Sequence, residues 1–115
     1  MVANNAPDAG DLIWIDFNPQ AGREQAGRRP ALVLSSVRFN LKTSLAFVCP
    51  ITSKIKGYSS EVPLPHGLPV HGAVLCSHLR SIDWQVRNPV LIGKVPDGLL
   101  VEVRETVGLI AGITS

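Results

Sequence analysis

Hydrophobic residues recur at two spacings along this chain, one typical of strands and one typical of a helix. In segment 11–17, Ile13, Ile15 and Phe17 occupy every second position, which predicts a strand with one buried face. Segment 30–35 instead carries a continuous apolar run, which predicts a strand covered on both sides. The chain is therefore expected to begin with a pair of strands.

The rest of the pattern predicts more short strands and then one long helix. Further strands are expected at 45–51, 61–64, 73–84 and 89–95, and one helical turn is expected within 36–43. Leu99, Val103, Val107 and Ala111 recur every fourth residue, which predicts an amphipathic helix over 97–112. Many strands followed by one helix favour a mainly β fold, a small barrel with an appended helix, over a βαβ fold.

A polar connection of twelve residues, 18–29, joins the first two strands. Hairpin connections are usually about 2–5 residues long, so this length indicates either a solvated loop or a mobile loop used in binding or catalysis. Arg29 directly precedes Pro30, whose ring restricts the preceding residue to an extended conformation. Arg29 is therefore expected to project from the mouth of a strand. Glu24 is the only carboxylate of this connection and lies among arginines.

Composition predicts one small domain without giving its function. The chain has 115 residues, and its net charge of +2 argues only weakly for nucleic acid as a partner. Hydrophobic residues make up 45% of it, which indicates that some apolar surface is covered by another chain. Residues 1–9 form a polar leader without targeting features, and no apolar run is long enough to span a membrane, so we expect a cytoplasmic protein. Cys49 and Cys76 each lie in an apolar run and are expected to be buried core residues.

Three pieces of the chain resemble the MazF/PemK family of toxin endoribonucleases from bacterial toxin–antitoxin systems. They are GDLIWIDFNPQAGREQAGRRPALVLS, VCPITSKIKGYSSEV, and GAVLCSHLRSIDW with the helix behind it. The resemblance implies an SH3-like small β-barrel of the MazF/Kid/CcdB type with a C-terminal amphipathic helix, forming a homodimer. It also implies metal-independent, sequence-specific cleavage of single-stranded RNA, which yields 2′,3′-cyclic phosphate and 5′-OH ends. The implied partner is a cognate antitoxin with an acidic, partly disordered tail, and no cofactor or metal is implied.

The resemblance places the catalytic residues of the family at Arg29, Thr52 and Glu24. A guanidinium grips two phosphoryl oxygens at once, so Arg29 is expected to act as an electrostatic clamp. The Thr52 hydroxyl could hold the phosphate against Arg29, although threonines at strand ends usually bond to local backbone. Glu24 could accept the 2′-OH proton if its loop closes, and a water molecule is the other acceptor that fits this step.

Further polar residues are expected to hold or read the RNA. The expected set is Gln25, Arg28, Asn40, Ser53, Lys54, Lys56, His78, Arg80 and Arg87. Tyr58 and Trp84 could stack on bases, whereas Trp14 is expected to lie in the core. The family usually has Asp-Gln where this chain has Ser77-His78, so His78 could either serve as a hydrogen-bonding side chain or join proton transfer.

Two other classes of function remain open. A toxin of the same fold could poison DNA gyrase as a pure binding protein, and fold alone does not separate these activities. An inactive SH3-like interaction module would bind without turnover. The set Glu24, Arg29 and Thr52 favours cleavage, because a pure binding protein needs no such combination. The spacing of His66, His71, His78 and Cys76 fits no common zinc site.

Overall fold

The computed structural model describes residues 6–17 and 27–113. Within these ranges the strands are β1 (Asp11–Asp16), β2 (Arg28–Val33), β3 (Leu45–Thr52), β4 (Glu61–Pro63), β5 (Ala73–Leu75), β6 (Arg80–Asp83) and β7 (Val90–Lys94). The helices are α1 (Val37–Thr43) and α2 (Asp97–Ala111), and 3₁₀ turns lie at Cys76–His78 and Trp84–Val86. This arrangement confirms the prediction of a mainly β fold with a C-terminal helix.

The strands form one antiparallel sheet with β3 near its centre. Neighbouring strands follow the order β4-β5-β3-β2-β1-β7. The remaining strand, β6, also pairs with β3 and stands outside this order. β5 and β6 lie along the same edge of β3, since residues 51–52 pair with β5 and residues 45–48 pair with β6. The predicted single strand over 73–84 is therefore wrong, because the turn Cys76–His78 divides it.

The two faces of the sheet bury two separate hydrophobic clusters. Ile13, Ile15 and Phe17 belong to one cluster, as their alternation predicted. Leu12 lies on the opposite face, in the cluster that also receives Leu99 of α2. The predicted core position of Trp14 is wrong, because this residue is 40% exposed although strands on both sides pair with it.

The connection between β1 and β2 is shorter in the structure than the sequence pattern predicts. The sequence predicts a loop over 18–29, but residues 28 and 29 belong to β2. Asp16 pairs with Arg28 and Ile15 pairs with Arg29, so the antiparallel ladder continues past Pro30. Both arginines are consequently held on a strand.

Helix α1 contacts β3 and is longer than the single turn expected. Its Ser36 cap accepts a hydrogen bond from the backbone N–H of Phe39. Asn40 is completely buried, and its side-chain amide donates to the carbonyl oxygens of Pro7 and Ser35. The indole N–H of Trp84 donates to the Asn40 carbonyl at 2.9 Å, so this interior contact anchors α1.

Helix α2 begins at Asp97 and ends at Ala111, with Gly112 as a left-handed cap. No helix of the described ranges is long and apolar enough to cross a membrane. Cys49 and Cys76 are free and buried, as predicted. Burial raises the pKa of the Cys76 thiol to about 11, with Glu102 adding to the shift, and burial likewise raises the pKa of Cys49.

Candidate functional site

Arg29 and Thr52 lie at neighbouring strand ends, where they line one cavity. β2 and β3 are antiparallel with Ala31 opposite Pro50, and continuing that register by two residues brings Arg29 level with Thr52. We call this space the polar cavity, and its volume is about 590 Å³. Its walls are formed by Arg29, Thr52, Ser53, Lys54, Lys56, Tyr58, Ser60, Glu61, Leu75, Ser77 and His78.

Thr52 is held firmly although it is the last residue of its strand. Its hydroxyl oxygen accepts a hydrogen bond from the backbone N–H of Lys54 at 3.0 Å, the local bond that strand-end threonines commonly make. That bond uses the oxygen as acceptor, so the hydroxyl proton stays available for a ligand. Gly72 packs against the same residue at a backbone φ of +130°, and a Cβ there would lie 2.0 Å from the Thr52 carbonyl oxygen. Only glycine permits this approach.

Glu61 organises the loop that carries the two lysines of the cavity. Glu61 as a residue is 8% exposed, and its carboxylate Oε1 accepts hydrogen bonds from the backbone N–H groups of Lys56 and Gly57 at 3.0 and 2.9 Å. This role is not predictable from the sequence, because an isolated Glu at the start of a strand carries no motif. The feature that reveals the role of Glu61 is its buried position in a short strand, because a carboxylate is buried there only when it is hydrogen-bonded.

The polar cavity is suited to a phosphodiester. Arg29, Lys54 and Lys56 bring three cationic side chains to its walls, and the Glu61 carboxylate already accepts two backbone hydrogen bonds. Guanidinium and ammonium groups with nearby hydroxyls are the donors that bind phosphoryl oxygens. His78, the last residue of the turn Cys76–His78, adds an imidazole to the same walls.

A second cavity of about 610 Å³ also borders Arg29. We call it the indole cavity, and its walls are formed by Trp14, Gly27, Arg28, Arg29, Pro30, Ile51, Ser53, Pro69, Val70 and His71. Arg28 donates to the Asp16 carboxylate at 3.0 Å and to the Asn88 carbonyl at 2.8 Å. The hydrogen bond from Asn88 lowers the pKa of Asp16, and the bond from Arg28 lowers it further.

Several predicted RNA-binding residues do line these cavities, and others do not. Ser53, Lys54, Lys56 and His78 line the polar cavity, and Arg28 lines the indole cavity. Tyr58 is 63% exposed at the polar cavity, as stacking on a base would require. Glu24 and Gln25 lie outside the described residues.

Four of the predicted contacts are used elsewhere in the fold. Asn40 and Trp84 are bonded in the interior, so neither is accessible to a base. Arg80 donates to the Phe17 carbonyl and covers the Phe17 ring at 5.4 Å. Arg87 donates to the Asp16 carbonyl at 3.0 Å. Neither of these arginines lines the polar cavity or the indole cavity.

Comparison with known proteins assigns this architecture to one family. Residues 8–111 match the family model of PemK-like, MazF-like toxins of type II toxin–antitoxin systems. The chain is 40% identical over 112 residues to the endoribonuclease toxin MazF of Escherichia coli strain K12, covering 97% of this chain and all of that protein. It is 35% identical to the endoribonuclease toxin ChpB of the same strain, covering 89% of this chain and 91% of that one.

Solved structures agree with the sequence matches. The crystal structure of MazF from Deinococcus radiodurans has a TM-score of 0.90 and 50% sequence identity, covering 93% of this chain and 97% of that one. MazF in a MazE–MazF crystal structure from the same organism has a TM-score of 0.82 and 45% identity, covering 93% and 96%. The chain therefore belongs to the family of PemK-like, MazF-like toxins of type II toxin–antitoxin systems.

Proposed function

We propose that this toxin is an endoribonuclease that cleaves single-stranded RNA at a specific sequence without a metal ion. The observation that carries the proposal is the placement of Arg29 and Thr52 on the walls of one cationic cavity. The named relatives MazF and ChpB of Escherichia coli are endoribonuclease toxins, which supports the same reaction here. The cavity supplies what a reacting phosphodiester needs, namely charge, hydrogen-bond donors and a fixed position.

The proposed reaction uses the substrate's own 2′-OH as the nucleophile. Its oxygen attacks the adjacent phosphorus while the bond to the 5′-oxygen breaks, which leaves a 2′,3′-cyclic phosphate and a 5′-OH end. Arg29 stabilises the charge that grows on the phosphoryl oxygens, and the Thr52 hydroxyl donates to one of them. Glu24 or a water molecule takes the 2′-OH proton, and a water molecule gives a proton to the departing 5′-oxygen.

The same surface is the proposed docking point for an antitoxin. The acidic tail of a cognate antitoxin would compete with RNA for Arg29, because both present negative charge to one guanidinium. The MazE–MazF crystal structures from Deinococcus radiodurans support pairing of this kind.

Exposed apolar residues support a homodimer. Phe39 and Phe47 are 37% and 42% exposed, and their ring centroids lie 5.4 Å apart. Leu45 lies on the same strand as Phe47 and is 38% exposed. A patch of this kind on so small a domain is typical of an interface between subunits.

The nuclease is tested with purified protein and a long mixed-sequence single-stranded RNA in excess EDTA. Mapping of the 5′ ends is expected to show cuts at one recurrent short motif, and those ends should accept phosphate from a polynucleotide kinase. Thr52→Ala is expected to slow cleavage about tenfold, which corresponds to the loss of one hydrogen bond to a charged group.

Two outcomes would contradict the proposal. Intact RNA from a folded wild-type protein in EDTA would exclude metal-independent cleavage, and trapped DNA cleavage complexes of gyrase would then favour the binding toxin. Cuts that persist unchanged in Arg29→Ala would show that a different site performs the chemistry.

A further inference from the structure

The indole cavity presents an aromatic surface beside the proposed scissile position. Trp14 is 40% exposed on its wall, whereas the second tryptophan, Trp84, is 3% exposed. Ile51 and Val70 are buried apolar residues that also line the cavity. The exposed indole and the buried apolar residues suit the flat apolar face of a nucleobase. Arg28 and Arg29, which also line the cavity, suit the charged backbone to which the base is attached.

The walls of this cavity are fixed by the fold. Trp14 pairs with Pro30 of β2 on one side and with Val90 of β7 on the other, so two ladders hold its backbone. Pro69 packs on Gly93 of β7, where an added Cβ would lie 3.1 Å from the Pro69 Cγ. A preformed site of this kind loses little entropy when a flat ligand enters.

The indole cavity and the polar cavity have two wall residues in common. Arg29 and Ser53 line both of them. An RNA strand whose scissile phosphate lies against Arg29 extends in two directions from that phosphate. One direction is expected to follow the lysine-bearing walls of the polar cavity. The other is expected to follow the indole cavity, where the nucleotide adjoining the phosphate would meet Trp14.

We propose that the indole cavity is a nucleobase-stacking subsite, in which Trp14 stacks on the base of the nucleotide adjoining the scissile phosphate. This inference rests on the proposed endoribonuclease function and extends it to a second cavity. Single-stranded RNA is recognised by stacking of unpaired bases on aromatic side chains, which fits an exposed indole better than it fits a free anion. Arg28 already donates hydrogen bonds to Asp16 and to the Asn88 carbonyl. We therefore assign the stacking surface to the indole of Trp14 and not to the Arg28 guanidinium.

The test is a double-mutant cycle between the protein and the RNA. The ligand is a 2′-O-methyl RNA oligonucleotide that carries the mapped motif, because methylation blocks the nucleophile and isolates binding. Trp14→Leu is expected to raise Kd about 5- to 150-fold, whereas Trp14→Phe, which keeps a ring, should stay within about threefold of the wild type. An abasic nucleotide at one position should weaken wild-type binding by the same factor and should cost Trp14→Leu nothing further.

Tryptophan fluorescence gives an independent measurement. Acrylamide should quench Trp14 readily, and the 2′-O-methyl RNA should protect it. In Trp14→Leu the remaining emission comes from buried Trp84, which RNA should not change and which reports that the variant is folded. Full protection of Trp14 by RNA together with the expected coupling supports the subsite.

Several results would overturn the inference. One is a Kd of Trp14→Leu for the RNA that equals the Kd of the wild type. Another is a loss of wild-type binding affinity that is the same wherever the abasic nucleotide is placed. Protection of Trp14 by a glutamate-rich peptide with an aromatic residue, but not by RNA, would instead assign the cavity to an antitoxin tail. If the wild type cleaves no RNA, the proposed function fails, but protection by a mixed-sequence 2′-O-methyl RNA still decides whether Trp14 binds bases.

Discussion

The two cavities that meet at Arg29 are held in shape by different interactions. The loop wall of the polar cavity depends on one carboxylate, since Glu61 accepts both the Lys56 and Gly57 amides. The indole cavity depends on strand pairing and on the packing of Pro69 against Gly93. Hydrogen-bonded loops respond to a single polar substitution, whereas paired strands lose little from one. Substitutions can therefore separate the two cavities.

The largest effect is expected at Arg29, which both cavities share. Arg29→Ala should reduce the single-turnover cleavage rate by about 10²- to 10³-fold, because the growing phosphoryl charge loses its clamp. Arg29→Lys keeps the charge without the two-oxygen grip, so its rate should fall between those of the wild type and the alanine variant. An alanine variant within about threefold of the wild type would contradict the assignment.

An intermediate effect, confined to the polar cavity, is expected at Glu61. Glu61→Ala leaves two backbone amides without their acceptor and should lower kcat/KM roughly tenfold, mainly through KM, as Lys54 and Lys56 lose their positions. Glu61→Gln retains a carbonyl oxygen for both amides and should restore activity to within about twofold. At saturating RNA, protection of Trp14 should be unchanged in both variants. If the glutamine variant is as impaired as the alanine variant, the charge of Glu61, not its acceptor oxygen, is the property that matters.

The smallest effect is expected at Asp16, which orients Arg28 at the rim of the indole cavity. Asp16→Asn should change kcat/KM less than about twofold, because exposed ion pairs contribute little. The hydrogen bond from Asn88 lowers the pKa of folded Asp16 below 3.8, so its stabilising contribution is present above that pH and disappears as the pH falls through the lowered value. Urea midpoints of wild type and variant should differ slightly at pH 7 and converge in acid. A gap that widens in acid would contradict this origin.

Local patterns were sufficient to predict much of the fold. The alternation of Ile13, Ile15 and Phe17 predicted a buried face of β1. The recurrence of apolar residues at every fourth position from Leu99 predicted α2. The division of segment 73–84 was not predictable, because the turn at Cys76–His78 is required by the pairing of both halves with β3. Tertiary pairing decides such breaks, and it leaves no periodic signal in the sequence.

The candidate site was predictable where the family motif carried it and uncertain elsewhere. Arg29 and Thr52 share a cavity as expected, but Asn40 was assigned to RNA from its side chain alone. Its amide instead satisfies backbone carbonyls inside the fold, and amide chemistry serves either purpose. Trp14 shows the converse error, since a large apolar residue in a strand suggests the core, whereas this one is 40% exposed.

Gly72 has a genetic consequence that its chemistry alone would not suggest. The residue belongs to neither cavity, yet any side chain there would collide with the backbone of Thr52. A cell that outgrows a toxic protein needs only one disabling substitution, and a glycine codon reaches several other amino acids by a single base change. Colonies that survive expression of this toxin are therefore expected to carry changes at Gly72 as well as at Arg29 and Thr52. The pattern of survivors would trace the contacts that keep Thr52 and its strand in place.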